Sequence, residues 1–231
     1  MQATLQGEMP SRPRSYPGKR LLDVLVAGTA LLVLLPLLGL IALLVWFSLG
    51  RPIFFRQERP GFAARPFRIL KFRTMREARD AQGRLLPDGQ RLTRVGAFLR
   101  RTSLDELPEL WNVLRGEMSL VGPRPLLFRY LPYFRPRECL RFEVRPGITG
   151  LAQVSGRNCL GWDQRLELDA RYVENLSLGQ DLRILGRTVL AVLRREGASP
   201  DVDQVESWLD EERAAERRAS SGPLPTPDLK V

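Results

Sequence analysis

A chain of 231 residues is long enough for one domain with a sizeable core. It has no histidine, which excludes Ser-His-Asp and Cys-His catalysis, His-ligated zinc and histidine acid–base chemistry. Cys139 and Cys159 cannot by themselves build a metal site or a disulfide scaffold, and the formal charge of +10 gathers in residues 1–197, with 32 bases against 18 acids.

All but Lys19, Lys71 and Lys230 of the 36 bases are arginine. An active site here rests on carboxylates, arginines, hydroxyls and amides, with or without a metal ion. Such a basic surface suits nucleic acid, anionic lipid or phosphorylated substrates.

Residues 1–18 are proline-rich and polar, and are expected to be a flexible tail. Residues 24–49 carry no charge. As a helix they would be ~39 Å long, enough for a ~30 Å hydrocarbon core. Pro36 interrupts the run, and Gly39 follows it. Bases flank both ends, from Arg12 to Arg20 and from Arg51 to Arg76, which places both ends in the cytoplasm by the positive-inside rule. A helix broken at Pro36, entering and leaving residues 19–50 on one face, satisfies both facts; a kinked single span is the alternative. Asp23 is expected to pair with Lys19 or Arg20. Beside such a segment the basic face is expected to meet anionic lipid rather than nucleic acid.

Residues 51–75 alternate aromatic and basic residues around Pro60-Gly61 and read as a small β-hairpin. Residues 76–92 read as a loop. Residues 93–120 read as helical with a break near Pro108, and Val121 to Pro125 cannot be helix. Residues 163–176 and 180–196 read as amphipathic helices that pack on a core or lie in the headgroup plane. Ser199-Pro200-Asp201 is a good start for a short acidic helix to about Arg218, ahead of a disordered end; residues 198–231 carry net −4. The expected class is α+β, mostly helical.

The sharpest local pattern is Arg100 to Pro108, where paired arginines precede Asp105 and Glu106. Its plain explanation is a capping box, Ser103-x-x-Glu106. The chemical one is an aspartate kept ionised by arginines and a helix N-terminus, able to attack phosphorus. Glu106 could then hold Mg²⁺. In Gly122-Pro123-Arg124-Pro125, two prolines fix the backbone and aim Arg124; otherwise it is a rigid turn. Pro146 to Gly150, with Gln153, Gly156, Arg157 and Asn158, offers a close backbone approach to a nucleotide or an ordinary glycine loop.

Taken in order, these segments resemble the bacterial sugar transferases, the monotopic polyprenyl-phosphate phosphoglycosyl transferases. The resemblance spans about residues 19–196. It is carried by Lys19-Arg20 with Asp23, Pro36, Lys71 to Met75, Asp105 to Leu110, Asn112 to Ser119, Gly122 to Pro125, Pro146 to Gly150, and Gln153 to Arg157. It implies transfer of a sugar-1-phosphate from a UDP-sugar to polyprenyl phosphate with release of UMP. Asp105 would be the nucleophile and Glu106 the Mg²⁺ ligand, with Asp105 beside it. Arg101, Arg124 and Arg157, with Lys71 and Arg73, are the expected substrate contacts. Pro36 would break a re-entrant membrane helix over 19–50, and Leu35 stands where the family often has serine. Residues 51–197 would be a catalytic domain on the cytoplasmic face of the bacterial inner membrane, with downstream glycosyltransferases as partners. The chain would be a minimal catalytic form with short tails.

Overall fold

The computed structural model describes residues 11–156, 160–194 and 208–220. The apolar run forms two helices, α1 (Lys19–Val33) and α2 (Leu35–Leu49), bent by 63°. Neither helix alone is long and apolar enough to cross a membrane; the bent pair passes that test of length and composition together. The break leaves little backbone unpaired. Leu34 N donates to Ala30 O at 2.8 Å, and Leu34 O accepts from Leu38 N at 2.8 Å. Pro36 lies in the first turn of α2, where its missing N–H would have had no helical partner.

Half of the pair's residues are exposed, Leu32 at 76% and Phe47 at 80%. One ridge of α1, Lys19, Asp23 and Ala27, is buried. The expected Asp23 pairing with Lys19 or Arg20 is corrected here. Asp23 accepts from Ser119 Oγ and Leu120 N, both at 3.0 Å. Arg20 caps helix α5 by donating to the carbonyls of Val113 and Leu114 at 2.6 and 2.8 Å. Lys19 Nζ reaches Asp181 Oδ2 at 2.5 Å. The tertiary fold overrides local pairing because a buried charge needs a fixed partner.

The hairpin is present as β1 (Phe54–Pro60) against β2 (Pro66–Phe72), antiparallel, with Phe54 opposite Phe72 and Pro60 opposite Pro66. The stretch read as a loop holds the short helix α3 (Asp88–Arg91) and a Met75–Leu92 bridge. The long helical reading of 93–120 divides into α4 (Arg94–Arg101), a 3₁₀ turn (Leu104–Glu106), α5 (Glu109–Arg115) and β3 (Ser119–Val121). Thr93 caps α4 by accepting from Gly96 N at 3.0 Å. Gly116, at φ 79°, ends α5 and lets the chain turn into β3.

Strand β3 pairs in parallel with β4 (Gly147–Thr149). Two 3₁₀ segments, Phe128–Tyr133 and Pro136–Glu143, lie between them. The glycines of this region meet one another: a Cβ on Gly147 would lie 2.1 Å from Gly122 N. The close approach is therefore backbone to backbone within this strand pair. After α6 (Leu151–Ser155) come α7 (Trp162–Glu174), α8 (Leu178–Leu193) and α9 (Leu209–Ser220). The Ser199-Pro200-Asp201 start lies outside the described residues.

Three apolar clusters hold these elements. Ala27, Val113, Met118, Val121, Tyr172 and Ile184 join α1, α5, β3, α7 and α8. Tyr130, Phe142, Trp162 and Leu209 dock α9. Ile41, Val45, Phe72 and Leu99 join α2 to the hairpin and α4.

Helix α4 presses on the strand exit so closely that a Cβ on Gly96 would lie 1.9 Å from the Thr74 carbonyl oxygen. Gly96→Ala is expected to cost about 1–3 kcal/mol. Gly39 has nothing within 4 Å of a built Cβ, so Gly39→Ala is expected to stabilise α2 by about 0.5–1 kcal/mol. Thermal melts of both variants check the contrast; equal shifts would refute the packing argument.

Candidate active site

Asp105 and Glu106 lie in the 3₁₀ turn between α4 and α5, after Ser103 at φ 55°. Ser103 makes no side-chain cap bond, so the capping box is not formed. Glu106 is turned to two cations instead. Its Oε1 accepts from Lys71 Nζ at 2.6 Å and from Arg124 Nη2, and its Oε2 from Arg124 Nη1 at 3.3 Å. Lys71 comes from the last turn of β2, and Arg124 from the proline-framed loop after β3. Asn112 on α5 fixes the strand: its Oδ1 accepts from Leu70 N at 3.0 Å and its Nδ2 donates to Arg68 O at 2.8 Å. Lys71 also reaches the buried Glu109 at 3.2 Å.

Asp105 is buried. Burial first, then the Glu106 charge, pushes its carboxyl up, against the pull of Lys71, Arg100 and Arg124. The expected pull of arginines toward the charged form is present, but burial and Glu106 outweigh it. Among the described residues its carboxylate makes no hydrogen bond or ion pair. For Glu106 the balance is opposite. Burial raises it, but the charges and hydrogen bonds of Arg124 and Lys71 outweigh that and hold it well below the usual carboxylate range.

Burial, then the Glu106 charge, pushes Glu109 up to about 7, against Lys71 and Arg124. An unfolded glutamate titrates near ~4.3. The folded chain thus keeps a proton that the unfolded chain loses. This contribution is complete at low pH and lost as pH rises to about 7. Burial moves Asp169 the same way, to about 6. Glu109→Gln is expected to flatten the fall in melting temperature between pH 6 and 7 and to keep the fall below 6. An unchanged slope between those values would contradict it.

The structure brings Lys71, Asp105, Glu106 and Arg124 together. It does not bring Arg73: that guanidinium donates to the carbonyls of Leu49, Gly50 and Arg51 at the end of α2. Arg101 is exposed and makes no contact with either carboxylate. Its neighbour Arg100 faces the site instead, donating to Thr74 Oγ1 at 3.1 Å and acting on Asp105. Arg157 lies outside the described residues. Sequence reasoning missed Arg59. Its Nε is buried with no partner among the described residues, and burial, then the Arg124 charge, brings it down to about 10. Its Nη2 donates to Gln57 Oε1 at 2.6 Å.

A cavity of about 550 Å³ adjoins Glu106. Its lining includes Ser103, Glu106, Arg124, Arg141, Gln153 and Asp169, with Leu104, Leu126 and Ile148 among its apolar walls. Asp105 is not itself part of that lining. Arg141 and Asp169 carried no distinct sequence signal; they stand within segments read only as helical or unassigned.

A carboxylate pair ringed by arginines and a lysine, in a chain without histidine, defines a site suited to phosphorylated substrates. The chain belongs to the bacterial sugar transferase family, whose profile matches residues 14–195. The uncharacterized sugar transferase EpsL of Bacillus subtilis (strain 168) is 50% identical over 183 residues, covering 78% of this chain and 89% of its own. The exopolysaccharide production protein ExoY of Rhizobium meliloti (strain 1021) is 42% identical, over 81% of this chain and 90% of its own. The UDP-glucose:undecaprenyl-phosphate glucose-1-phosphate transferase of Caulobacter vibrioides is 43% identical, over 78% and 71%.

Proposed function

We propose that this chain moves a sugar-1-phosphate from a UDP-sugar to undecaprenyl (polyprenyl) phosphate through a phospho-sugar ester on Asp105, releasing UMP. The names of relatives support the overall transfer. The observation that carries the mechanism is the Asp105 carboxylate, buried and unpaired among the described residues, beside a Glu106 clamped by Lys71 and Arg124.

An Asp105 oxygen attacks the sugar-bearing phosphorus of the diphosphate. The bond from that phosphorus to the bridging oxygen breaks, and UMP leaves with the electron pair. An oxygen of the lipid phosphate then attacks the same phosphorus and returns the carboxylate. Burial penalises the charge on Asp105, and ester formation removes that charge. Arg124 and Lys71 stabilise the phosphate oxygens, and Arg59 adds a third cation.

Glu106 keeps acceptor capacity on Oε2 and Asp105 on both oxygens. Among the described residues no group of three or more His, Cys, Asp or Glu side chains could hold a metal. That donor set fits Mg²⁺ held by one or two carboxylates and completed by water and substrate phosphate. Glu106, with Asp105, would hold it, and the bound ion would share the charge of the diphosphate.

The bent α1–α2 pair supports a re-entrant anchor in the bacterial inner membrane, with the site on the cytoplasmic face. One substrate is lipid-bound and the other soluble, so the chemistry belongs at that boundary. The test is mass spectrometry of the protein quenched during turnover with UDP-sugar, Mg²⁺ and limiting lipid phosphate. A phospho-sugar mass on the peptide holding Asp105 is expected. Its absence under conditions that release UMP would overturn the covalent route.

A further inference from the structure

We propose that Gln153 and Arg141 read the pyrimidine edge of the nucleotide on the donor substrate, an assignment that rests on the UDP-sugar reading above. Both line the cavity that Glu106 and Arg124 also line. Both amide atoms of Gln153, Nε2 and Oε1, are buried with no hydrogen-bond partner among the described residues, and so is Arg141 Nη1. Buried polar atoms of this kind are rare in folded proteins, because each forfeits its hydrogen bonds to water. That the two residues carrying these three atoms line one cavity points to a ligand that pairs them.

Their chemistry selects the part of the ligand. Phosphate takes cations, which Arg124, Lys71 and Arg59 supply. A neutral amide offers one donor and one acceptor side by side. That pair matches the N3–H of uracil and an adjacent carbonyl oxygen, and Arg141 Nη1 donates to the other carbonyl oxygen. The apolar walls at Leu126, Ile148 and Ala152 suit the faces of a flat ring.

Both groups are held ready. Arg141 Nη2 donates to the Arg124 carbonyl oxygen and lies 3.3 Å from Asp169 Oδ2. A Cβ on Gly150 would lie 2.7 Å from Gln153 Oε1, so the amide occupies space that only glycine leaves open. The Arg141 link also ties the base-reading group to the backbone of the phosphate-facing Arg124. Ordering before binding lowers the entropy lost on binding.

The test uses the full-length protein in detergent with Mg²⁺, and calorimetric titration with UMP and with 3-methyl-UMP, in which a methyl group replaces the N3 hydrogen. The wild-type protein is expected to bind the methylated nucleotide at least about tenfold more weakly. Gln153→Leu is expected to weaken UMP by a similar factor and to lose the discrimination between the two. Equal wild-type affinities, or no UMP binding, would overturn the base assignment whether or not the variant folds. UMP release from UDP-sugar in the same preparation reports separately on the transferase reading. Its absence overturns that reading, whereas release alongside equal affinities overturns the base assignment alone.

Discussion

Asp105→Asn is expected to lower UMP release by at least about 10⁴-fold while leaving the fold intact or slightly more stable. An amide oxygen is too weak a nucleophile to form the ester. The loss should fall on kcat, because the carboxylate acts on the reacting phosphorus and not on the distant base. Stability should move the other way. Burial and the Glu106 charge oppose ionisation of Asp105, so a neutral side chain of the same shape removes a penalty. The paired measurements are turnover with a range of UDP-sugars and thermal melting in detergent. Near-normal turnover would reject Asp105 as nucleophile. A large drop in melting temperature would show that its role is structural.

Lys19→Met is expected to destabilise the protein by about 3–5 kcal/mol, the usual result of removing one partner from a buried ion pair. Lys19 Nζ sits 2.5 Å from Asp181 Oδ2, 3.1 Å from Val121 O and 3.3 Å from the Tyr172 hydroxyl. Tyr16 and Tyr172 each donate to Asp181 at 2.8 Å. This network joins the start of α1 to β3, α7 and α8, and so ties the proposed membrane anchor to the strand that leads to Arg124. Without the ammonium, the buried Asp181 carboxylate loses its cation. Asp181→Asn added to Lys19→Met should recover a large part of the loss. Melting curves of the single and double variants decide it; a double variant as unstable as the sum of both singles would refute the coupling.

Local signals in the chain foretold much of the architecture. Pro36 within an unbroken apolar run announced the bend between α1 and α2. The aromatic and basic alternation around Pro60-Gly61 announced the hairpin. Adjacent carboxylates after paired arginines marked the turn that carries Asp105 and Glu106. The prolines around Arg124 marked the loop that aims it. Where local rules competed they misled. Ser103-x-x-Glu106 satisfies the capping pattern, yet Glu106 gains more from Lys71 and Arg124 than one backbone N–H offers. Arg101 was the expected substrate contact, but Arg100, one position and about 100° away along α4, is the arginine that bonds Thr74 and acts on Asp105.

Residue order and periodicity were enough to place the bent apolar pair, the hairpin, the two amphipathic helices and the carboxylate pair, because hydrophobic spacing, proline and turn residues act over a few positions. The partners of the buried charges came only with the folded chain. Asp23 meets Ser119, Lys19 meets Asp181, and Arg73 turns to the end of α2. The cavity that gathers Arg141, Gln153 and Asp169 beside Glu106 likewise exists only once β4, α6 and α7 pack against α5. A buried polar group is satisfied by whichever group the packed core brings within about 3 Å, and separation along the chain sets no limit on that.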